Sequence, residues 1–307
     1  MPSDSKNKTI IDIAGHKLKI GNLDKVFYPA TGFTKGQMLD YYIRIAPFLL
    51  PHLINRPLTM KRYPNGANGK FFYQKECPAH RPDWVRTIPV WSGGNHRNIN
   101  FCNAADLPTL VWAANLAALE LHTSLSQAPK INQPTQLVFD LDPGSPATIV
   151  NCAQVSLLLK SFFDKHKLQS FPKTSGSKGL QVYVPLNTPV NYDATKNFAR
   201  ILASQFQEKY PELITANMKK ALRPGKVFID WSQNDEHKTT VCVYSLRAKE
   251  QPTVSTPVTW QEVIRAVDQN DPKLLTFEAT QVLERTAQAG DLFSPLLSLM
   301  QRLPALS

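Results

Sequence analysis

The stretch LVFDLDPG (residues 137–144) is an apolar strand pattern that ends in two aspartates one residue apart, followed by a Pro-Gly turn signal. Alternate residues of a strand face the same side, so Asp140 and Asp142 project together from one edge of a sheet. Two carboxylates this close repel each other unless a cation lies between them. An Asp-x-Asp pair at a strand end also caps turns in unrelated folds, so this pair alone does not decide the function.

A third aspartate, Asp230, ends a second apolar pattern, VFIDWS, and a Gly/Ser/Lys turn, TSGSKG, lies between the two patterns. Carboxylate oxygens are the ligands that Mg²⁺ and Mn²⁺ prefer, and these ions keep positions open for phosphate oxygens. An EF-hand is excluded, because the later oxygen ligands and the closing glutamate of that loop are missing. Three carboxylates and a phosphate-sized loop together predict metal-assisted nucleotidyl transfer.

The composition indicates what kind of partner the protein binds and in which cell compartment it works. With 35 Lys and Arg against 24 Asp and Glu, the chain of 307 residues carries a net charge of +11, which favours a polyanion such as nucleic acid. The four cysteines form no CxxC pair and so favour neither a zinc site nor a disulfide scaffold. No apolar segment is long enough to cross a membrane, and no signal-peptide pattern is present. We therefore expect a cytoplasmic, nucleoid-associated protein that does not bind membranes.

Strand and helix patterns are mixed along the chain. Hairpins are predicted over 9–20 and 57–75, and between VFIDWS and TTVCVYS across 234–236. Helices are predicted over about 35–50, 107–122, 147–166, 193–210, 276–289 and 291–302, and after the capping box of Thr259 and Glu262. This is an α+β pattern with a mixed or antiparallel central sheet flanked by helices. No linker interrupts it, so we expect one domain over 1–307, with subregions of about 1–105, 106–250 and 251–307.

Three segments closely resemble the signature blocks of a known family: LVFDLDPG, TSGSKGLQVYVPL and KVFIDWSQN…KTTVCVYSLRA. The family is the polymerase domain of bacterial ATP-dependent DNA ligase D, in the archaeo-eukaryotic primase superfamily. Residues 22–42, 56–87 and 107–122 follow the same pattern, so the resemblance covers about residues 10–295. It implies a primase-polymerase-like fold in a stand-alone form. It also implies addition of (ribo)nucleotides to a 3′-hydroxyl during gap filling and non-homologous end joining.

The resemblance also assigns the candidate site. Asp140, Asp142 and Asp230 would be the catalytic residues and would hold two divalent metal ions, Mn²⁺ or Mg²⁺. The residues expected to bind the nucleotide are His122, Ser175, Gly176, Lys178, Gln181, Arg223, Lys238 and Arg247. Backbone amides of the 176–179 loop would form an anion-binding nest with the serine hydroxyl. The alternative for each cation is a solvated surface charge, and for a histidine closing the 107–122 helix it is the helix dipole.

A further group of residues is expected to bind DNA. Asn22, Lys25 and Lys35 match family residues that bind a 5′-phosphate across a gap, and Lys35 would begin a helix whose amides already favour an anion. Phe71 and Phe72 match aromatics that stack on template bases, although alternation predicts that one of them is in the core. The implied partners are gapped or broken DNA with a 5′-phosphate and nucleoside triphosphates. A Ku-like protein and a separate DNA ligase follow by analogy.

The chain departs from the family at a few positions. Gln181 stands where the family has a histidine, and because glutamine cannot carry a positive charge, we expect weaker nucleotide binding. Val243 replaces a proline and Ser124 a tryptophan. Three alternatives stay open: a primase that initiates chains de novo, a DNA-end-binding module with degenerate catalysis, and a metal-dependent phosphohydrolase. The last of these leaves the 5′-phosphate lysines and the phenylalanines unexplained.

Overall fold

The structure, a computed structural model, describes residues 8–306. Within that range the α-helices are α1 (Lys35–Leu49), α2 (Leu107–Asn115), α3 (Ile149–Lys165), α4 (Tyr192–Lys209), α5 (Trp260–Asp268) and α6 (Ala279–Ala289). The strands are β1 (Lys8–Ile13), β2 (His16–Gly21), β3 (Val26–Tyr28), β4 (Phe33–Thr34), β5 (Leu58–Arg62), β6 (Phe72–Gln74), β7 (Thr87–Ser92), β8 (Arg97–Cys102), β9 (Ala118–Thr123), β10 (Ser126–Gln127), β11 (Lys130–Pro134), β12 (Gln136–Pro143), β13 (Phe171–Thr174), β14 (Leu180–Pro185), β15 (Ile214–Thr215), β16 (Val227–Asp230) and β17 (Thr240–Val241). Helices combined with mainly antiparallel sheets confirm the predicted α+β class.

The chain divides into two compact units. Unit 1 contains the described residues up to Thr123 together with Tyr244–Thr253 and Glu278–Gly290. Unit 2 contains Ser124–Val243, Val254–Phe277 and the described residues from Asp291 onward.

Unit 1 is organised by a sheet in which the strand order is β9-β5-β8-β7, with β6 on the free side of part of β5. Helix α1 begins at a capping box. The Thr34 side chain accepts a hydrogen bond from the Gln37 backbone amide, and the Gln37 side chain accepts one from the Thr34 backbone amide. Its apolar side, including Met38 and Ile45, is buried, as the sequence predicts. Tyr42 ties the helix to β9 through a 2.7 Å hydrogen bond from its hydroxyl to the Leu119 carbonyl.

Unit 2 is built on a five-stranded sheet of order β13-β14-β12-β16-β15, so the LVFDLD strand lies in its centre. Strand β12 is antiparallel to both neighbours, β14 and β16. Leu137, Phe139 and Leu141 are fully buried and join the hydrophobic core to which α3 and α5 contribute. The strand alternation therefore presents Asp140 and Asp142 on the opposite face.

Two predicted elements of the middle of the chain are wrong. Helix α2 stops at Asn115, because Ala117 adopts a left-handed backbone conformation (φ 63°), and the following residues form β9 against β5. His122 therefore lies in a strand, and the helix-dipole explanation for it does not apply. VFIDWS does not form a hairpin with TTVCVYS either: β16 has β12 on one side and β15 on the other.

The C-terminal helices are partly as predicted. The capping box of Thr259 and Glu262 opens α5, and α6 occupies most of the predicted 276–289 segment. The predicted helix over 291–302 is wrong, since only a short 3₁₀ helix, Ser294–Leu297, forms there. This segment contains Pro295 and is followed by Pro304, and its apolar residues do not repeat at helical spacing over a long stretch. It therefore has no continuous helical face.

The cysteines pair in a way that their spacing did not indicate. Cys77 and Cys102 form a disulfide in unit 1, with their Cα atoms 4.9 Å apart. The Cys77 amide bonds to the Asn100 carbonyl, which brings residue 77 alongside the end of β8. Cys152 and Cys242 are buried thiols. Among the helices of residues 8–306, none has the length and apolar character needed to cross a bilayer.

Candidate functional site

Three aspartates of unit 2, Asp140, Asp142 and Asp230, form what we call the acidic edge. Asp140 lies directly opposite Asp230 in the antiparallel register of β12 and β16, and Asp142 follows on the same face of β12. Burial, together with the charges of Asp142 and Asp230, raises the pKa of Asp140 to about 7. The three carboxylates therefore act on one another electrostatically.

The Asp230 carboxylate is hydrogen-bonded to residues that directly follow it in the sequence. Its Oδ1 accepts hydrogen bonds from the Ser232 amide at 3.0 Å and the Ser232 hydroxyl at 2.5 Å, and its Oδ2 accepts one from Gln233 at 3.2 Å. The Lys238 ammonium lies 4.0 Å from the same carboxylate and also bonds to the Ser232 hydroxyl. Asp230 thus caps the 3₁₀ helix Trp231–Gln233. Within residues 8–306, no set of three His, Cys, Asp or Glu side chains is gathered closely enough to hold a metal ion.

The chemistry of the acidic edge nevertheless fits a divalent cation. Adjacent strands supply oxygen donors only, which is the donor set of Mg²⁺ and Mn²⁺. The mutual repulsion that raises the pKa of Asp140 is relieved when a cation binds between the carboxylates. Of the three hydrogen bonds from Ser232 and Gln233 to the Asp230 carboxylate, only the one from Gln233 is to Oδ2, so this oxygen retains a lone pair for a cation.

The TSGSKG loop packs against the acidic edge. A Cβ atom on Gly179 would lie 2.2 Å from the Leu141 carbonyl oxygen, so the glycine permits the loop to reach β12, and the same Cβ would lie 3.5 Å from the Asp142 carboxylate. The Ser175 hydroxyl accepts hydrogen bonds from the amides of Ser177 and Gly179, at 3.2 and 3.1 Å. The loop is therefore closed around Ser175, and Lys178 is exposed on it.

A second close approach carries Arg223 to the end of β12. The Gly144 amide donates to the Lys226 carbonyl at 2.8 Å, and a Cβ on Gly144 would lie 2.0 Å from the Arg223 carbonyl oxygen. The Arg223 guanidinium stacks 3.6 Å above the ring of Phe228 and donates to the Met218 carbonyl. The Pro-Gly turn of LVFDLDPG thus accommodates a cation next to the acidic edge.

Gln181 is buried, with 2% of its surface exposed, and it lies opposite Asp140 in the register of β14 and β12. The two side chains therefore lie on the same face of the sheet, where hydrogen bonding from Gln181 acts to lower the pKa of Asp140. The other two departures from the family pattern are also buried. Val243 is 3% exposed, and Ser124 lies 2.9 Å from the Ser126 hydroxyl and 3.2 Å from that of Tyr192.

Unit 1 contains a buried carboxylate, Glu120, that is contacted by two cations, a histidine and a tyrosine hydroxyl, and we call this group the Glu120 cluster. The contacts to the Glu120 oxygens are His122 Nε2 at 2.9 Å, Arg247 Nε at 3.4 Å, Lys61 Nζ at 3.5 Å and the Tyr63 hydroxyl at 3.2 Å. His122 and Arg247 are predicted site residues, and the structure brings them together. Glu120 was not predicted from the sequence.

The electrostatics of this cluster run opposite to those of the acidic edge. Burial alone would raise the pKa of Glu120, but the hydrogen bond from His122 and the charges of Arg247, His122 and Lys61 outweigh it and hold the pKa far below its usual range. Burial lowers the pKa of His122, against the pull of Glu120. The signal that could have revealed Glu120 is the ELH spacing, which places it on the same face as His122 once 118–123 is recognised as a strand.

The residues predicted to bind a 5′-phosphate lie at one end of α1. Asn22 and Lys25 belong to the turn between β2 and β3, and the Lys35 amide donates to the Lys25 carbonyl, which brings this turn to the start of α1. The Lys35 ammonium is buried and donates to the Gly21 carbonyl at 2.8 Å and to Asn115 Oδ1 at 2.7 Å. Burial, and secondarily the charge of Lys25, lowers the pKa of Lys35 to about 8.

Phe71 and Phe72 are both exposed, at 51% and 45%. The prediction that one of them is in the core is wrong, because β6 begins only at Phe72 and pairs with the end of β5. The Lys61 ammonium lies 4.2 Å from the ring centroid of Phe71, and the Arg62 guanidinium 5.1 Å from that of Phe72. Aromatic faces beside cations are the pattern of a surface that stacks on nucleic-acid bases.

The comparison with known families decides the assignment. The sequence profile of the LigD primase-polymerase domain matches residues 34–293. The chain belongs to this family. The predicted family, fold class and enzyme class, a nucleotidyltransferase, are thereby confirmed.

Individual LigD proteins give the same result. The chain is 38% identical to the multifunctional non-homologous end joining protein LigD of Mycolicibacterium smegmatis over 282 residues, which make up 91% of this chain and 36% of that protein. It is 35% identical to the bifunctional LigD of Bacillus subtilis, over 89% of this chain and 43% of that protein. It therefore spans well under half the length of these curated relatives.

A solved structure of the family matches the fold closely. The polymerase domain of Mycobacterium tuberculosis ligase D in complex with DNA has a TM-score of 0.85 at 37% sequence identity, covering 92% of this chain and 99% of that chain. Primase initiation and a purely DNA-binding role are not favoured by these relatives.

Proposed function

We propose that this protein adds nucleotides to a 3′-hydroxyl, directed by a template strand, to fill gaps during the repair of broken DNA. The observation that carries the proposal is the acidic edge: Asp140, Asp142 and Asp230 lie on one face of two adjoining strands, with the Ser175 loop packed against that face. Membership of the LigD primase-polymerase family supports this reaction over other metal-dependent chemistries.

Asp140, Asp142 and Asp230 would hold two divalent metal ions, Mn²⁺ or Mg²⁺. When bound, such ions lower the pKa of an attacking hydroxyl and neutralise charge on the leaving pyrophosphate. The aspartates orient these charges, and Lys238, beside Asp230, adds a cation on the same side. The protein otherwise supplies positioning and countercharge, which is the main protein contribution to phosphoryl transfer.

The nucleotide would be bound by cations and hydrogen-bond donors. In unit 1, the Glu120 cluster presents His122, Lys61 and Arg247, held together by a carboxylate. In unit 2, we assign Ser175, Gly176, Lys178, Arg223 and Lys238 to the triphosphate. We expect the protein to incorporate ribonucleotides efficiently, and the experiment below compares them with deoxynucleotides.

The DNA would carry a 5′-phosphate on the far side of the gap. We assign this phosphate to Asn22, Lys25 and Lys35, whose side chains supply two ammonium groups and an amide donor. The amides of Lys35 and Gly36 already donate to the carbonyls of Lys25 and Leu23. Phe71 and Phe72 would stack on template bases. A Ku-like end-binding protein and a DNA ligase are the expected protein partners, and the expected location is the cytoplasm, at the nucleoid.

The test is extension of a labelled primer across a short gap, with Mn²⁺ and either ribo- or deoxynucleotides. The wild type is expected to extend the primer, more so when the downstream strand carries a 5′-phosphate, and Asp140→Ala/Asp142→Ala is expected not to. A primer-free template strand run in parallel detects de novo initiation. Phosphate-dependent binding of gapped DNA with no extension under any condition would contradict the proposal and identify an end-binding protein instead.

A further inference from the structure

The centre of unit 2 contains a buried lysine that donates hydrogen bonds to two polar side chains. Lys173, on β13, is 1% exposed. Its ammonium donates to the Gln181 Oε1 atom at 2.5 Å and to the Ser255 hydroxyl at 2.6 Å. The Ser255 hydroxyl in turn donates to the Thr174 carbonyl at 3.0 Å, so the lysine is held on two sides.

This lysine fixes the orientation of the Gln181 amide. An ammonium group can only donate hydrogen bonds, so the atom of Gln181 that faces Lys173 must be the carbonyl oxygen. The Tyr183 hydroxyl lies 3.3 Å from the same oxygen and 3.0 Å from the Thr240 hydroxyl. The NH₂ group of Gln181 is therefore left to face the other way.

On that other side lies the acidic edge. Gln181 and Asp140 are direct partners in the register of β14 and β12, so their side chains lie on the same face of the sheet, and donation from Gln181 acts to lower the pKa of Asp140 against the effect of burial. The connected groups thus run from the Lys173 ammonium through the Gln181 carbonyl and NH₂ to the Asp140 oxygens. Each group along this chain is buried or half-buried.

We propose that Gln181 is a positioning residue for the metal-binding carboxylate Asp140, with its amide locked in the donating orientation by Lys173, and that it does not contact the triphosphate. This inference deepens the proposed function and rests on it. It also replaces the expectation that Gln181 weakens nucleotide binding. Groups that orient metal ligands through hydrogen bonds typically contribute about 10–100-fold to metal affinity.

The same geometry explains why glutamine can stand where the family has histidine. A neutral imidazole accepts a hydrogen bond at one ring nitrogen and donates at the other. It would therefore accept from Lys173 and donate to Asp140, as the Gln181 amide does. A positively charged imidazole has no acceptor for Lys173, so the charge that glutamine lacks is not what this position requires.

The test measures Mn²⁺ binding to the free protein by electron paramagnetic resonance, without nucleotide or DNA. Gln181→Met removes both the acceptor and the donor, and Lys173→Met frees the amide to turn its oxygen toward Asp140. Both are expected to weaken Mn²⁺ binding about 10–100-fold. For Lys173→Met the direction is decisive, because removing a cation near the site would on its own strengthen Mn²⁺ binding.

Two further variants serve as controls. Gln181→His is expected to bind Mn²⁺ within about threefold of the wild type, since it restores one acceptor and one donor. Tyr183→Phe is expected to do the same, because Lys173 still holds the amide. If a single variant unfolds, Lys173→Met/Gln181→Leu replaces both buried partners by apolar groups and is expected to fold yet bind Mn²⁺ weakly.

The outcomes separate this inference from the proposed function. Wild-type protein that binds no Mn²⁺ would refute the metal site and, with it, this inference. Wild-type protein that binds Mn²⁺, with Gln181→Met binding equally well but losing affinity for the nucleoside triphosphate, would overturn the inference alone and make Gln181 a triphosphate ligand. Stronger Mn²⁺ binding by Lys173→Met would overturn it as well.

Discussion

The acidic edge of unit 2 and the Glu120 cluster of unit 1 are opposite solutions to placing carboxylates away from water. At the acidic edge, like charges raise the pKa of Asp140 to about 7. At Glu120, His122, Arg247 and Lys61 hold the pKa of the carboxyl below its usual range despite burial. One region is short of positive charge, and the other has more cations than its single carboxylate needs.

This difference indicates what each region binds. Carboxylates that repel one another are stabilised by an added cation, whereas an excess of cations favours an anion such as a triphosphate. It also separates function from stability. A neutral substitution at the acidic edge removes repulsion, while the same substitution at Glu120 leaves buried cations uncompensated.

The largest expected effect is on the rate of extension. Asp142→Asn should lower the maximum rate of nucleotide incorporation about a thousandfold, the equivalent of about 4 kcal/mol, because a metal ligand is lost. The melting temperature should be unchanged or slightly higher, since repulsion of Asp140 is reduced. Asp193→Asn, an exposed aspartate in the first turn of α4, is the matched control and should retain activity. A loss of stability without a loss of rate would contradict this assignment.

The second effect is the reverse pattern at the cluster. Glu120→Gln should destabilise the protein by about 3–5 kcal/mol, because it breaks a buried ion pair while its partners remain. It should also raise the KM for nucleotide, since His122 and Arg247 lose the carboxylate that they contact. Chemical denaturation and steady-state kinetics measure the two quantities. Full stability in Glu120→Gln would show that the cluster is not held by its carboxylate.

A smaller effect concerns pH and the 5′-phosphate. Because the pKa of Lys35 lies at about 8, below its usual value, the free protein loses this positive charge as the pH rises through 8. The preference for gapped DNA with a 5′-phosphate over DNA without one should therefore decrease between pH 7 and 9, by at most about tenfold per pH unit. Lys35→Arg keeps its charge, so its preference should stay constant with pH. A wild-type preference that does not vary over this range would remove Lys35 from the phosphate site.

The smallest effect is expected for Gln181→His. If Gln181 acts on Asp140 rather than on the triphosphate, the KM for nucleotide should change by less than about threefold. A clear decrease in KM would restore the role that the family resemblance implies for this position.

The two regions differ in how far they could be predicted from the sequence. The acidic edge could be predicted, because apolar alternation identifies β12 and β16 and puts Asp140 and Asp142 on one face. The engagement of Asp230 by Ser232 and Gln233 could not, since it depends on a 3₁₀ turn after the strand. The strand pairing of β16 could not be predicted either. Strands that are close in sequence usually pair as a hairpin, but β16 lies between β12 and β15.

The Glu120 cluster was not predicted because residues 118–122 were expected to be helical. Residues 107–119 are mostly apolar, and in such a run helix and strand periodicity are difficult to distinguish. The left-handed residue Ala117 ends the helix, and nothing in its identity signals that conformation. With 118–123 taken as helix, Glu120 and His122 fall on different faces, so their pairing could not be foreseen.

The most direct test of this division is single-turnover incorporation of one nucleotide on a gapped duplex with Mn²⁺, over a wide range of nucleotide concentration. It compares the wild type, Asp142→Asn and Glu120→Gln. We expect Glu120→Gln to approach the wild-type rate at saturating nucleotide, within about tenfold, and Asp142→Asn to remain about a thousandfold slower at every concentration. A wild-type rate in Asp142→Asn, or a Glu120→Gln rate that saturating nucleotide does not recover, would contradict the assignment of chemistry to the acidic edge and nucleotide binding to the cluster.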